Sequence, residues 1–217
     1  MKIKWLGHAA FLITTSDETC IVTDPYRPGA FGAINYGPIT TRADVVTISH
    51  EHDDHNYAAG VPGQHEVVKG TGRHEACGIG LVGVSTFHDR SGGVERGDNT
   101  VFIIEADGLR VCHLGDLGHE LDAAKISEIG HIDVLLVPVG GTFTLDADAA
   151  TRTVERIAPK ITVPMHFRTP RCALPIAGVE PFLAGKQNVD AREDSEIEVS
   201  ADTLPATSTV IVLQPAL

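Results

Sequence analysis

Three histidines and an aspartate lie close together in the pattern H-x-H-x-D-H at positions 50–55. At the residue frequencies of this chain, such a pattern arises by chance with a probability of roughly 10⁻³ over the whole length. Imidazole nitrogens and carboxylate oxygens are the ligands that Zn²⁺ and similar divalent ions prefer. We therefore interpret His50, His52, Asp54 and His55 as metal ligands. A strand that turns into a short helix could aim His50 and His52 at one point and Asp54 and His55 at a second.

Further ligands are expected at the ends of other strands, because four residues are too few to complete two metal sites. His88, Asp116 and His166 each follow an apolar run that is typical of a β-strand. With them the set suffices for two divalent ions, for which Zn²⁺ is the expected metal and Mn²⁺ and Fe²⁺ are alternatives. Two such ions about 3.5–4 Å apart can share a water and lower its pKa toward ~7, which supplies hydroxide at neutral pH.

Other polar residues near these ligands are predicted to act on the substrate. His119 follows Asp116 closely and is predicted to donate a proton, so that Asp54 and His119 are the two predicted catalytic residues. Arg168 and Arg171 follow His166 and are predicted to clamp an anion, because guanidinium groups match carboxylates and phosphates. The alternative for each arginine is an ordinary solvated position on the surface.

Two loops rich in glycine and proline are long for connecting segments, at Pro25–Pro38 and Arg90–Asn99. Long loops in compact domains are often functional. Tyr26 and Tyr36 could cover the site, which predicts that the first loop is a lid. Arg27 in the first loop and Arg96 in the second are further, weaker candidates for binding an anion.

Short apolar runs rich in valine and isoleucine supply most of the predicted elements. They predict strands at Ala10–Thr14, Thr19–Thr23, Val45–Ser49, Leu81–Thr86, Val101–Ala106, Leu109–Leu114, Val134–Val139, Ile161–Met165 and Val210–Leu213. The opening segment Met1–His8 predicts a further strand followed by a turn. Asp107-Gly108 predicts a tight hairpin, because both residues tolerate a positive φ. Helices are predicted at Leu145–Ala158, with Thr144 as its N-cap, at Glu120–Ile129 and at Ile176–Leu183. Hairpins followed by strand–helix–strand units predict mixed sheets with helices on their outer faces.

The composition narrows the possible classes of protein. A chain of 217 residues with 42% apolar and 21% charged residues is expected to form one globular domain over residues 1–217. The net charge of −12 and the 5% of aromatic residues count against binding to nucleic acid or to a membrane surface. The four cysteines form no C-x-x-C pair, and no apolar run reaches the ~20 residues of a membrane span, so a cytoplasmic location is expected.

The ordered series of Asp24, the H-x-H-x-D-H segment, His88, Asp116 and His166 resembles the metallo-β-lactamase-fold hydrolases. The resemblance implies an α/β fold, a four-layer αββα sandwich with its site along one edge. It implies that one metal is held by His50, His52 and His88 and the other by Asp54, His55 and His166. Asp116 would bridge the two metals, and Asp24 would support the ligand loop.

Two further segments, Trp5–Phe11 and Val137–Thr144, look like the compact branch that contains L-ascorbate-6-phosphate lactonase and uncharacterised Zn-dependent hydrolases. His8 lies in the first of them and is expected either to support the ligands near Asp24 or to make a plain core hydrogen bond. Only 32 residues separate His55 from His88, fewer than in true β-lactamases and glyoxalase II. An aspartate in the bridging position, where the lactamases proper have a cysteine, also argues against that activity.

The charges of the predicted site favour a small substrate. Two divalent ions, two aspartates and one hydroxide leave a formal charge of about +1 on an acidic molecule, which favours a small anion over a polyanion. We predict a dinuclear metal-dependent hydrolase that uses a metal-bound hydroxide on a small anionic ester, lactone or phosphoester. The alternatives are a phosphodiesterase or nuclease, and a noncatalytic metal-binding module of the same fold. The sequence leaves a homo-oligomer open.

Overall fold

The computed structural model describes all 217 residues and contains fourteen β-strands and three α-helices. The strands are β1 (Lys2–Gly7), β2 (Ala10–Thr14), β3 (Cys20–Thr23), β4 (Val45–Ile48), β5 (Glu66–Lys69), β6 (Gly72–Ala76), β7 (Ile79–Phe87), β8 (Asp98–Ala106), β9 (Leu109–His113), β10 (Val134–Pro138), β11 (Ile161–Met165), β12 (Val189–Ala191), β13 (Glu196–Glu198) and β14 (Thr209–Val212). The helices are α1 (Ala123–Ile129), α2 (Ala147–Ile157) and α3 (Glu180–Leu183), with single 3₁₀ turns at Ala30–Gly32, Ala58–Gly60 and Ala201–Thr203. No helix has the length and apolar character needed to cross a bilayer.

The strands form two mixed sheets, as the alternation of hairpins and helices predicts. The first has the order β13-β1-β2-β3-β4-β5 and the second β12-β14-β11-β10-β9-β8-β7-β6. Each sheet is antiparallel at one end and parallel at the other, with the change of direction at β3 and at β9. The predicted hairpin joins β8 to β9, and its two turn residues have φ values of 53° at Asp107 and 71° at Gly108.

Side chains of the first sheet point alternately to two hydrophobic clusters. Ile3, Trp5 and Phe11 point inward to the main core of 45 buried residues, which they share with the second sheet. Leu6 and Leu12 point outward to a second cluster of 15 buried residues. This alternation follows from the two-residue period of a strand, and it requires cover on both faces of the first sheet.

The outer cover of the first sheet is a loop rather than a regular helix. Tyr26, Ile34 and Tyr36 from the loop at 25–38 are buried in the second cluster together with Ile39. Both tyrosine hydroxyls are hydrogen-bonded within this layer, Tyr26 to the carbonyl of Gly37 at 2.8 Å and Tyr36 to Thr169 at 2.8 Å. The two tyrosines therefore anchor the loop, and the prediction that they cover the site is wrong.

The helices are shorter than predicted at their N-termini. Helix α2 begins at Ala147, and Asp146 caps it by accepting the N–H of Ala149 at 2.8 Å. Thr144 is not the cap, because the chain is still extended at Asp146 and the N–H of Leu145 donates to the carbonyl of Leu117. Helix α1 likewise begins only after Asp122, which accepts the N–H of Lys125.

The third predicted helix, Ile176–Leu183, is reduced to the single turn of α3. The N–H groups at the start of the predicted segment make loop hydrogen bonds instead, Ile176 to the carbonyl of Leu174 and Ala177 to that of Gly140. These bonds tie the segment to the loop after β10, so a helix cannot begin there.

Four strands were not predicted, and all four lie at sheet edges. They are β5, β6, β12 and β13. Their side chains are mostly exposed or half-buried, so their sequences lack the apolar runs that predict the inner strands. Edge strands that carry charged residues are common, because charge discourages pairing with another chain.

Candidate metal centre

Every predicted ligand lies on a loop at the carboxyl end of a strand. The H-x-H-x-D-H segment follows β4, while His88, Asp116 and His166 follow β7, β9 and β11. The segment after β4 is a turn, in which the N–H groups of His55 and Asn56 both donate to the carbonyl of His52. The short helix predicted after β4 is therefore absent.

The turn nevertheless separates the ligands into the two predicted groups. His50, His52 and His88 form one group, and Asp54, His55 and His166 form the other together with His8. Within each group, one ligand atom of every residue lies within 4.8 Å of the corresponding atoms of the others. This spacing allows each group to surround one cation.

Asp116 lies between the two groups. Its Oδ2 atom is 3.3 Å from Nε2 of His88 in the first group. The same atom is 3.2 Å from Nε2 of both His55 and His166 in the second group. One carboxylate oxygen therefore contacts both halves of the site, as a bridging ligand must.

The hydrogen bonding of these atoms fits a bound cation. Nε2 of His50, Nε2 of His55 and Oδ1 of Asp116 are buried and make no hydrogen bond of normal geometry, although Nε2 of His55 lies 3.2 Å from Oδ2 of Asp116. An unpartnered buried polar atom costs about 1–3 kcal/mol, and three in one place are difficult to explain unless another group binds there. A pair of divalent cations, one at each group, would satisfy them, because imidazole nitrogen and carboxylate oxygen are suitable donors.

The protonation of the site also favours cations. Burial, and after it the neighbouring His55, lower the pKa of His50 to about 3, so the His50 imidazole is neutral and able to bind a metal. Burial also acts to lower the pKa of His55, but the carboxylates of Asp116 and Asp54 outweigh it and raise that pKa well above its usual value. The carboxylates thus attract positive charge into the site.

Asp24 and Ser49 orient two of the ligand histidines. The Asp24 carboxylate accepts the N–H of Ser49 at 2.8 Å and contacts Nδ1 of His55 at 2.9 Å. The Ser49 hydroxyl in turn contacts Nδ1 of His50 at 2.9 Å. With Nδ1 engaged, the Nε2 atom of each ring faces the carboxylate of Asp116, an arrangement typical of metal-ligating histidines.

His8 contacts Asp54 rather than Asp24, the neighbour expected from the sequence. Its Nε2 lies 3.0 Å from Oδ2 of Asp54, and the ring is completely buried. The carbonyl of His8 accepts hydrogen bonds from the indole of Trp5 and the N–H of His166. The Trp5–Phe11 segment therefore connects one ligand loop to a carboxylate of another.

A cavity of about 430 Å³ opens above these ligands. Five of the predicted ligands line it, His52, Asp54, His88, Asp116 and His166. The other lining residues are Phe31, Arg96, Phe143 and Leu174. The site is therefore accessible to a small molecule, as a catalytic site requires.

Three residues predicted to act on the substrate lie outside this cavity. His119 accepts the N–H of Phe87 at Nε2, and its Nδ1 lies 2.9 Å from the carbonyl of Glu120, so its ring joins two loops. Arg168 and Arg171 line a separate pocket of about 410 Å³. None of the three residues lines the cavity above the ligands, so their predicted contact with the substrate stays a prediction. The arginine of the cavity is Arg96.

Several glycines at the site were not identified from the sequence. A Cβ at Gly118 would lie 2.5 Å from the amide nitrogen of Asp89, beside His88. A Cβ at Gly115 would lie 2.7 Å from Cβ of Ser49, and one at Gly140 would overlap the carbonyl oxygen of His166. These glycines allow the ligand loops to touch one another. Gly115 and Gly118 lie within two residues of the predicted ligand Asp116, which was the available signal for them, whereas Gly140 has no predicted ligand beside it.

Asp89 and Asn99 hold the loops in place and were also missed. The Asp89 carboxylate accepts four backbone N–H groups at 2.7–2.9 Å, from Ser91, Gly93, Glu95 and Arg96. Asn99 accepts the N–H of Asp116 at 2.9 Å and donates to the carbonyl of Leu114 at 2.9 Å. No sequence pattern shows which distant N–H groups such side chains will reach.

Comparisons with known proteins agree with this geometry. A sequence model described as "Beta-lactamase superfamily domain" matches residues 2–166. A UPF0173 metal-dependent hydrolase of Thermococcus kodakarensis is 32% identical over 194 residues, which cover 78% of this chain and 85% of the relative. The corresponding protein of Archaeoglobus fulgidus is 32% identical over 197 residues, with 78% and 84% covered.

Solved structures extend the likeness over almost the whole chain. A candidate Zn-dependent hydrolase of the metallo-β-lactamase superfamily from Thermotoga maritima has 37% sequence identity and a TM-score of 0.80. The alignment covers 98% of this chain and 97% of that protein. A metallo hydrolase from Ignicoccus hospitalis, with 23% identity and a TM-score of 0.66, shares the fold. The predicted metallo-β-lactamase fold is confirmed.

Proposed function

The chain belongs to the metallo-β-lactamase superfamily and is a metal-dependent hydrolase, and we propose that it holds two divalent cations and cleaves a small anionic ester, lactone or phosphoester. The observation that carries this proposal is the contact of Asp116 with both ligand groups. A carboxylate in that position suits a pair of cations. A single cation would leave one of the two groups unused.

Seven side chains would hold the two ions. His50, His52 and His88 would bind the first, and Asp54, His55 and His166 the second, with Asp116 shared. Five imidazoles and two carboxylates form a donor set of intermediate softness, which suits Zn²⁺, Mn²⁺ or Fe²⁺. We propose Zn²⁺ as the ion.

The chemistry combines what the cations supply with what the chain arranges around them. Bound divalent cations would polarise the scissile carbonyl or phosphoryl oxygen and lower the pKa of an attacking water. Asp24 keeps the His55 ring in one orientation, and His8 holds one oxygen of Asp54. These contacts reduce the reorganisation that the site needs during the reaction, which is how a preformed site accelerates a step.

The charge of the protein supports a small anionic substrate. The molecule carries a net charge of −12, so an extended polyanion would be repelled by its surface. A small anion needs to enter only the cavity, where Arg96 and the proposed cations provide positive charge. Because His119 does not face the cavity, the proposal assigns no role in proton donation to that residue.

The test compares two neighbouring aspartates. Asp54→Ala is expected to lower the metal content from two ions per chain toward one and to abolish chelator-sensitive turnover of a panel of esters, lactones and phosphoesters. Asp53→Ala is the matched control, because the Asp53 side chain is 58% exposed and pairs only with Arg27. Elemental analysis of the purified proteins gives the ions per chain. A wild-type content of one ion, or equal metal content in the two variants, would contradict the proposal.

A further inference from the structure

The walls of the metal cavity have an unusual composition. Apart from the proposed ligands, the cavity is lined by three apolar side chains and one positively charged side chain, which are Phe31, Phe143, Leu174 and Arg96. None of these four side chains carries a hydroxyl or an amide group. A sugar or another polyhydroxylated substrate would therefore lose many hydrogen bonds to water and could recover them, among these four side chains, only from Arg96.

Arg96 has free capacity to bind an anion. Its guanidinium lies 5.7 Å from the centre of the Phe143 ring, and its side chain is 33% exposed. The nearest acidic group is its neighbour Glu95, at 3.4 Å, which is itself 56% exposed. Such an exposed pair is weak, and a guanidinium has five N–H donors, so most donors remain available to a ligand.

The backbone holds Arg96 in a defined position relative to the metal ligands. The N–H of Arg96 donates to Asp89 at 2.8 Å, and Asp89 directly follows His88. The carbonyl of Gly97 accepts the N–H of His88 at 3.0 Å. The loop that carries Arg96 is thus attached, on both sides of this residue, to the segment that carries His88.

Phe31 provides a second, independent sign of an apolar ligand. It is 64% exposed, although large aromatic side chains lose free energy when they remain in water. Its φ of 53° lies in the left-handed region, which is costly for a bulky residue. Strained and exposed residues of this kind are typical of binding sites, where a ligand covers the ring.

We propose that the substrate is amphipathic, with an apolar alkyl or aryl body between the scissile bond and a distal anionic group. The body contacts Phe31, Phe143 and Leu174, and Arg96 binds the distal anion. This assignment rests on the proposed function and adds to it a substrate class and a specificity-determining residue.

The test uses esters that differ only in the distal group. The 4-nitrophenyl monoester of glutaric acid and 4-nitrophenyl pentanoate have acyl chains of equal length, with and without a carboxylate. A third ester carries a phosphonate in place of the carboxylate and shows which anion Arg96 prefers. We expect the wild-type kcat/KM for whichever anionic ester reacts faster to be about 5- to 20-fold higher than that for the neutral ester. This factor is near the lower end of the range for a hydrogen bond to a charged group, because Arg96 is partly exposed.

Substitutions of two arginines from the same loop separate binding from general charge effects. Arg96→Gln is expected to reduce the preference to about twofold or less, and Arg96→Lys to restore part of it, because lysine keeps the charge but not the fork. Arg90→Gln is the matched control. Its side chain is 70% exposed, pairs with Asp146 and lies outside the cavity, so it should keep the full preference. Phe143→Ala is expected to lower kcat/KM for all the esters.

A binding measurement keeps this proposal distinguishable from the proposed hydrolysis. The anilides corresponding to the acidic and neutral esters are not readily cleaved, and calorimetry gives their Kd with the metal-loaded enzyme. If the acidic anilide binds more tightly and Arg96→Gln abolishes the difference, the assignment is supported even when no ester is turned over. Absence of turnover would contradict only the proposed hydrolysis of such esters. Equal Kd values for the two anilides, or a preference that Arg96→Gln leaves intact, would overturn it.

Discussion

Gly118→Ala tests whether contact between ligand loops holds the metal site together. Gly118 passes beside the backbone of His88 and Asp89, and its N–H donates to the carbonyl of Phe87 at 3.0 Å. A Cβ there would lie 2.5 Å from the amide nitrogen of Asp89 and closer still to the carbonyl of His88. The obstacle is backbone, which cannot rotate away as a side chain can.

The size of the effect follows from the overlap. The Asp89 contact would be about 1 Å shorter than an ordinary van der Waals contact, so one of the two loops must move by that amount. Overpacking of this kind costs about 1–3 kcal/mol, or about 2–12 °C in Tm for a chain of this size. Metal–ligand distances tolerate only about 0.2 Å of error, so we expect metal affinity to fall about 10- to 100-fold.

Gly37→Ala is the matched control. Neither glycine has a φ in the left-handed region, and the nearest atom to a Cβ at Gly37 is Cβ of Leu217, at 3.9 Å. We expect Gly37→Ala to change Tm by no more than about 2 °C. The assay is Tm by calorimetry, with metal affinity measured by competition with a chelator. Equal Tm and equal metal affinity in the two variants would refute the argument that this loop contact positions His88.

Three further predictions concern the support of the site and its metal. Asp89→Ala should lower the urea midpoint at pH 7, whereas Asp98→Ala, at an exposed position, should not. Burial acts to raise the pKa of Asp89, but the four N–H bonds to its carboxylate lower that pKa overall. The difference in midpoint between the two variants should therefore shrink as the pH falls below about 4. Burial lowers the pKa of His8 from 6.5 to about 4, so the unfolded state binds more protons than the folded state between these pH values. The free energy of unfolding of the wild type should therefore rise by about 3 kcal/mol relative to that of His8→Gln between pH 4 and pH 6.5. A difference between the two proteins in urea unfolding that does not change with pH would contradict this. A chelator should lower Tm at pH 7, and added Zn²⁺ should restore it, because ions bind the folded state selectively; identical Tm values with and without chelator would exclude a stabilising metal.

The sequence predicted the inner strands and the histidine-rich ligand set for the same physical reason. Strands buried on both sides require continuous apolar runs, and a polar residue that interrupts such a run at its end stands out, as His88, Asp116 and His166 do. Edge strands such as β5 and β13 bury only part of their surface. Their polar sequences therefore resemble loops, and they were missed.

Residue type, order and spacing along the chain were thus enough to indicate a metal-dependent hydrolase and its fold. The tertiary structure alone decided which loops meet: Arg96, eight residues beyond one ligand, lines the cavity, while Arg168, two residues beyond another, does not. It also paired His8 with Asp54 and turned His119 toward the backbone. These outcomes depend on the direction that the chain takes after each ligand. That direction is set by packing and by hydrogen bonds to distant backbone groups, and local sequence does not encode them.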